Sequence, residues 1–197
     1  IKDAQTEKAT PVILNPVFVS NPIALEKHQE NEYDDFYMEK NIPEKLSYEG
    51  PKAAVGDVNG DKRDDMYICG AKNQAGQLYI QNANGSFTNF KQKIFTEFAI
   101  FEDTAASFFD ADNDGDLDLY VGSGGNEYQK GSKELLDRLY FNDGKGNFTL
   151  QGRSLPPFTM NTSVVAPDDI DGDGDIDLFV GSRSFPMEYG LLPENYI

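Results

Sequence analysis

Three acidic runs in the chain have the residue types and spacing of loops that fold around a hard cation. They span residues 57–65, 110–118 and 169–177, and each has an oxygen-bearing side chain at positions 1, 3, 5 and 9. In a tightly curled loop, alternate side chains point to one centre, and the carbonyl near position 7 adds another oxygen. Calcium takes roughly 6 to 8 such ligands, whereas magnesium prefers a smaller octahedral shell that retains water. The pattern therefore predicts up to three calcium ions, one in each loop.

An EF-hand loop begins in a similar way, but it requires a bidentate glutamate at position 12. Position 12 is Ile68, Val121 and Val180 in the three runs. All three are apolar and belong to the segment that leaves the loop, so an EF-hand is excluded. Solvated acidic turns without metal are the simpler alternative, but crowded carboxylates repel one another unless a cation neutralises them.

The first acidic run differs from the other two in ways that weaken a metal site. Its position 6, where the chain turns sharply, is Lys62, whereas the other runs have glycine there. Its position 3 is Asn59 instead of aspartate, and Arg63 adds a second positive charge. Glycine at position 6 avoids the steric cost of a left-handed conformation. We therefore expect the first site to bind calcium least well.

The acidic runs belong to an internal repeat. Short apolar segments precede and follow each run, and their aromatic or β-branched residues, closed by glycine, favour strands. Residues 78–88 align without a gap to residues 139–149, and both contain the Asn, Asp and Gly cluster of a hairpin turn. Each unit thus holds about four strands, and the first aspartates of successive runs lie 53 and 59 residues apart.

This repeat predicts an all-β fold of β-propeller blades, each with about four antiparallel strands. Two units are complete and the third is partial, so we expect the ring to be completed by something outside this sequence. The predicted divisions are 1–48, an N-terminal segment packing on the first blade, and blade repeats at 49–102, 103–159 and 160–197. Alternating residues predict a strand at 12–20, and residues 132–138 predict a short helical turn capped by Ser132.

The acidic pattern running into Leu-x-Val-Gly, followed by the Leu-Tyr-x-Asn-Asp-Gly-x-Gly-x-Phe hairpin, resembles the FG-GAP or VCBS-type repeat of integrin-α-like β-propellers. The residue sequence of these motifs is similar to that of calcium-binding propeller repeats in bacterial cell-surface proteins, including those related to the ASPIC and UnbV group. This resemblance implies side-chain ligands at Asp57, Asn59, Asp61, Asp65, Asp110, Asp112, Asp114, Asp118, Asp169, Asp171, Asp173 and Asp177, with carbonyl ligands from Arg63, Asp116 and Asp175. It also implies an extracellular, cell-surface or periplasmic location.

Composition narrows the range of partners. The chain has 34 acidic and 17 basic residues, a formal net charge of -17, which argues against nucleic acid and anionic membranes. No apolar run approaches the ~20 residues that cross a bilayer. The first residue, Ile1, indicates a mature product or an excised fragment. A protein or glycan is the expected partner.

The residue content offers little for catalysis. The chain has one histidine, His28, and one cysteine, Cys69, which lies in an apolar stretch and is expected to be a buried hydrophobe. Neither supports a specific nucleophile and base arrangement. We therefore expect a non-catalytic, calcium-stabilised binding or adhesion module. The alternative is part of a polysaccharide lyase or hydrolase built on a calcium-binding propeller.

Overall fold

A computed structural model describes residues 23–152 and 154–197, and these form three antiparallel sheets. The first sheet has the order β1-β2-β3-β4, the second β5-β6-β7-β8, and the third pairs β9 with β10. The strands are β1 (Ala53–Gly56), β2 (Asp65–Ile68), β3 (Gln77–Gln81), β4 (Phe87–Asn89), β5 (Asp103–Phe109), β6 (Asp118–Ser123), β7 (Arg138–Asn142), β8 (Phe148–Leu150), β9 (Asn161–Asp168) and β10 (Asp177–Ser184). The predicted all-β, partial propeller is confirmed. The predicted strand at 12–20 lies outside the described residues.

Helical structure is short. Two α-helices, α1 (Asp35–Met38) and α2 (Lys93–Glu97), accompany one 3-10 turn at Lys133–Leu135 in the described part of the chain. The 3-10 turn lies where a helical turn was predicted, but the Ser132 side chain makes no capping hydrogen bond. No helix in the described ranges is long and apolar enough to cross a membrane.

The acidic runs are the turns between the first two strands of each sheet. The pairs Gly56 with Asp65, Phe109 with Asp118, and Asp168 with Asp177 close the three hairpins. The third sheet also contains an isolated bridge between Val180 and Tyr196. Val121 pairs with Arg138 in the corresponding position of the second sheet. Tyr196 therefore occupies the register at which a third strand begins in the other sheets.

The core lies between neighbouring sheets. Its largest fully buried side chains include Tyr67, Leu78, Leu119 and Tyr140, with the Phe95 ring of α2 packed against both tyrosines. The first two sheets are also joined by a hydrogen bond of 2.8 Å from Asn142 Nδ2 to the Val58 carbonyl. This bond ties β7, the third strand of the second sheet, to the first acidic loop.

The core also contains a buried ion pair. Arg138 donates to Asp103 Oδ1 at 2.5 Å and lies over the Phe101 ring at 4.5 Å. Both partners of the ion pair are at least 95% buried, because Arg138 is 5% and Asp103 2% exposed. The predicted helical turn at 132–138 included Arg138, and this part of the prediction was wrong, because Arg138 is the first residue of β7. The pair spans β6, which lies between β5 and β7. Removing either partner would leave an uncompensated buried charge and destabilise the chain.

Residues 26–49, which we call the N-terminal strap, contact all three sheets or the loops that follow their strands. Gln29 N donates to Gln74 Oε1, Tyr33 Oη donates to the Asn126 carbonyl, and Arg183 donates to Glu49. Gln74 and Asn126 lie in the loops that follow β2 and β6, and Arg183 lies near the end of β10, so these contacts are at the end of the sheets opposite the acidic turns. The strap thus reaches beyond the first sheet; the boundaries of the four predicted units remain predictions.

A partly buried carboxylate, Asp137, joins the second sheet to the third. It accepts hydrogen bonds from Tyr120 Oη at 2.6 Å, Ser123 N at 2.7 Å and Thr162 Oγ1 at 2.8 Å. Burial raises the pKa of Asp137 to about 6, although these three donors lower it in part. The folded state therefore favours the protonated form.

This pKa predicts a pH-dependent loss of stability. The stabilising effect of protonated Asp137 is complete below pH ~4 and is lost as the pH rises through about 6, by about 3 kcal/mol at most. Asp137→Asn should therefore gain stability relative to the native chain between pH 4 and 6, as measured by urea unfolding in chelator. Glu97→Gln, at an exposed acid, is the control. Parallel pH curves for the native chain and Asp137→Asn would contradict the assignment.

Candidate metal centre

Two of the acidic loops bring three carboxylates together. The first cluster is Asp110, Asp112 and Asp114, and the second is Asp169, Asp171 and Asp177. In each cluster, one oxygen from every residue lies within 4.8 Å of the others. Carboxylate oxygens are ligands for hard cations such as calcium, magnesium and manganese rather than for soft metals. The donor set thus fits a hard divalent cation.

Left-handed backbone conformations at positions 4 and 6 curl each loop. In the second loop Asn113 has φ 61° and Gly115 has φ 94°; in the third loop Gly172 and Gly174 have φ 79° and 98°. Asparagine and glycine tolerate this region best. The predicted turn at position 6 is present, and position 4 supplies a second turn that the sequence analysis did not identify.

The aspartate at position 1 organises each loop through backbone N–H groups. Asp110 accepts from Gly115 N at 2.9 Å, and Asp169 accepts from Gly172 N at 2.8 Å and Gly174 N at 3.2 Å. In the first loop, burial alone would raise the pKa of Asp57, but four backbone donors at residues 59–62 outweigh it and lower that pKa. The position 1 carboxylate is therefore held in place by the loop itself.

The aspartate at position 9 connects the loop to the rest of its sheet. Asp65 and Asp118 are buried, and each accepts one bond from position 2 of its loop and one from the third strand. For Asp118 the donors are Ala111 N at 2.9 Å and Asn142 N at 2.8 Å. Asp177 accepts from Ile170 N at 3.1 Å, the corresponding bond within the third loop. The position 9 aspartate of the first two loops thus connects the loop to the third strand of its sheet. The spacing of the acidic run predicted a metal ligand at position 9 but not this structural role.

Neighbouring acidic loops also contact one another. Asn113 Nδ2 of the second loop donates to Asp175 Oδ1 of the third at 2.7 Å. The side chains of Asp116, Asp118, Asp173 and Asp175 stand outside the two clusters, as does the whole first loop. The full set of predicted ligands therefore remains a prediction, and the two clusters are the part that the geometry brings together.

The first loop carries its own positive charge at the site. The Arg63 guanidinium forms an ion pair with Asp61, and Arg63 Nε donates to the Gln81 carbonyl at 3.0 Å. Lys62 occupies position 6 with φ 67°, the left-handed region in which a Cβ is unfavourable. An arginine held against a predicted ligand competes with a cation, which agrees with the expected weakness of this site.

Replacing Lys62 separates the effect of backbone conformation from that of charge. Lys62→Gly and Lys62→Ala both remove the positive charge, but only glycine relieves the left-handed conformation. We expect Lys62→Gly to be more stable than Lys62→Ala by about 1 kcal/mol, which raises the unfolding midpoint by about 2–4 °C for a chain of this size. Thermal unfolding in chelator measures this difference. Equal midpoints for the two variants would show that position 6 is unstrained.

A comparison with protein families matches the repeat. The model of the FG-GAP-like repeat matches residues 57–121 and 123–180. These two ranges begin at the first acidic run and end in β10, so they include all three acidic runs. The resemblance inferred from the acidic run and hairpin is thereby confirmed at the level of the FG-GAP-type repeat. The finer grouping with ASPIC and UnbV proteins remains a prediction.

Proposed function

Because the chain belongs to the FG-GAP-like repeat family, we propose that it is a calcium-stabilised, non-catalytic binding module that acts outside the cytoplasm. In this proposal calcium holds the acidic loops at one end of the sheets, and loops of the propeller meet a protein or glycan partner. The observation that carries it is the pair of carboxylate clusters at residues 110–114 and 169–177, produced by the same turn in successive units.

The position of the clusters favours a structural role for the cation. Each lies at the turn that joins the first two strands of a sheet. The position 9 aspartate accepts a bond from the loop backbone in both loops; Asp118 stands beside the first cluster, whereas Asp177 belongs to the second. A cation there would offset repulsion between carboxylates and stabilise the strand pairing next to it. Extracellular modules bind calcium with Kd of about 10⁻⁴–10⁻³ M, which an extracellular calcium supply can satisfy.

Thermal unfolding tests the proposed calcium dependence. Calcium that binds only the folded chain stabilises it by about 2.7 kcal/mol at a concentration 100 times Kd. We therefore expect the midpoint of the chelator-treated chain to rise by about 5–10 °C on addition of calcium, and by less on addition of magnesium.

Charge-removing variants identify the carboxylates that are responsible for the calcium-induced rise in the unfolding midpoint. Asp112→Asn combined with Asp171→Asn removes one carboxylate from each cluster and should abolish most of the calcium-induced rise. Glu97→Gln removes one exposed carboxylate far from the loops in sequence and should retain the whole rise. A calcium-induced rise that is unchanged in the double variant would place the ion elsewhere, and no rise in the native chain would refute calcium binding.

A further inference from the structure

Helix α1 of the N-terminal strap holds three apolar side chains in solvent. Phe36, Tyr37 and Met38 are 40%, 82% and 55% exposed. Burying such side chains would stabilise the chain, so their exposure costs stability. Clusters of exposed apolar side chains mark interaction sites on soluble proteins.

The exposed side chains are held in place by a buried carboxylate. Asp35, the first residue of α1, is fully buried and accepts hydrogen bonds from Ser47 N at 3.3 Å and Ser47 Oγ at 3.0 Å. Ser47 Oγ in turn accepts from Asn126 N of the second sheet at 2.9 Å. Asp34 caps the helix through Phe36 N. The helix is therefore tied to the sheets, and its apolar residues are presented from a fixed position.

A loop of the third sheet extends this surface. Tyr189 N donates to Glu39 Oε1 at 2.8 Å, which places Tyr189 beside the end of α1. Tyr189 and residues 38–42 line one open cavity of about 330 Å³. We call Phe36, Tyr37, Met38 and Tyr189 the apolar face.

Charge indicates what the apolar face accepts. Exposed acidic residues adjoin it in the chain at Glu32, Asp34 and Glu188, with Lys40 as an exposed base. The carboxylate of Glu39 within the cavity is already occupied, since Asn126 Nδ2 and Tyr189 N both donate to it. With a net charge of -17, a second copy of this chain or an anionic ligand would be repelled, whereas a basic partner would be attracted.

We propose that the apolar face binds a protein partner through a segment with apolar side chains at its centre and lysine or arginine around them. This inference rests on the proposed binding function and names the partner class and the surface. Methionine and aromatic side chains such as phenylalanine and tyrosine are enriched in protein interfaces. The partner bridges the strap and the third sheet, so the contact requires both.

Selection from a peptide library tests the proposal with a defined probe. A random 12-residue phage library is selected on the full chain with calcium and depleted on the double variant Tyr37→Ser/Tyr189→Ser. We expect the enriched peptides to combine aliphatic or aromatic residues with lysine or arginine. A synthetic peptide of the consensus should bind the double variant at least 10-fold more weakly than the native chain, and binding should weaken with salt. Val55→Thr, at an exposed strand residue in the first sheet, should bind normally.

The double variant should fold, because Tyr37 and Tyr189 are 82% and 44% exposed; an unchanged unfolding midpoint verifies this. Acidic consensus peptides, polar ones, or none that distinguish the double variant would overturn the proposal. If a neutral oligosaccharide such as cellohexaose competes with the peptide for the apolar face, the inference that the partner is a protein would be overturned. If calcium raises the unfolding midpoint but no peptide is enriched, the inference about the apolar face is wrong and the proposed calcium binding stands. If peptides bind the apolar face but calcium leaves the midpoint unchanged, the proposed calcium binding is wrong and the inference about the apolar face stands.

Discussion

Repulsion between the carboxylates of each acidic loop is the constraint on which the sheets depend. The loops are the turns between the first two strands, so strand pairing requires several aspartates to lie close together. In the second and third loops, three carboxylate oxygens come within 4.8 Å of one another. Backbone N–H groups around position 1 offset part of this repulsion, and a bound cation would offset the remainder.

The two ends of the sheets are stabilised by different physical means. At the acidic end, the position 9 aspartates Asp65 and Asp118 join each loop to a third strand. At the opposite end, the strap crosses from the Gln74 loop to Arg183 at the end of β10, and the buried Asn126 bonds to the strap. Carboxylates that accept backbone hydrogen bonds thus fix each loop to its own sheet at one end, and hydrogen bonds and an ion pair from a single segment connect the sheets at the other.

The sequence predicted what depends on local pattern. The acidic runs are turns, the segments around them are strands, and the hairpins at 78–88 and 139–149 form, because each is determined by nearby residues. The left-handed Lys62 also follows from alignment with Gly115 and Gly174. Where a pattern is repeated and depends on nearby residues, its spacing was sufficient to predict the local structure.

Features that depend on distant contacts were not predictable. Arg138 lies in a strand against Asp103, 35 residues away, and no local pattern distinguishes it from a loop arginine. The path of the strap arises from hydrogen bonds to loops far along the chain, and its composition is ambiguous by itself. Likewise, the spacing of position 9 indicates a ligand, whereas its bonds to the third strand emerge only once the sheet is assembled.

Calcium stoichiometry tests the central claim most directly. Equilibrium dialysis of the full chain against radioactive calcium counts bound ions even at Kd of about 10⁻³ M. The account predicts two ions at the clusters of residues 110–114 and 169–177, and a third, weaker ion at the loop that contains Lys62. Binding of no calcium, or an equal number of ions after Asp112→Asn and Asp171→Asn are combined, would contradict it.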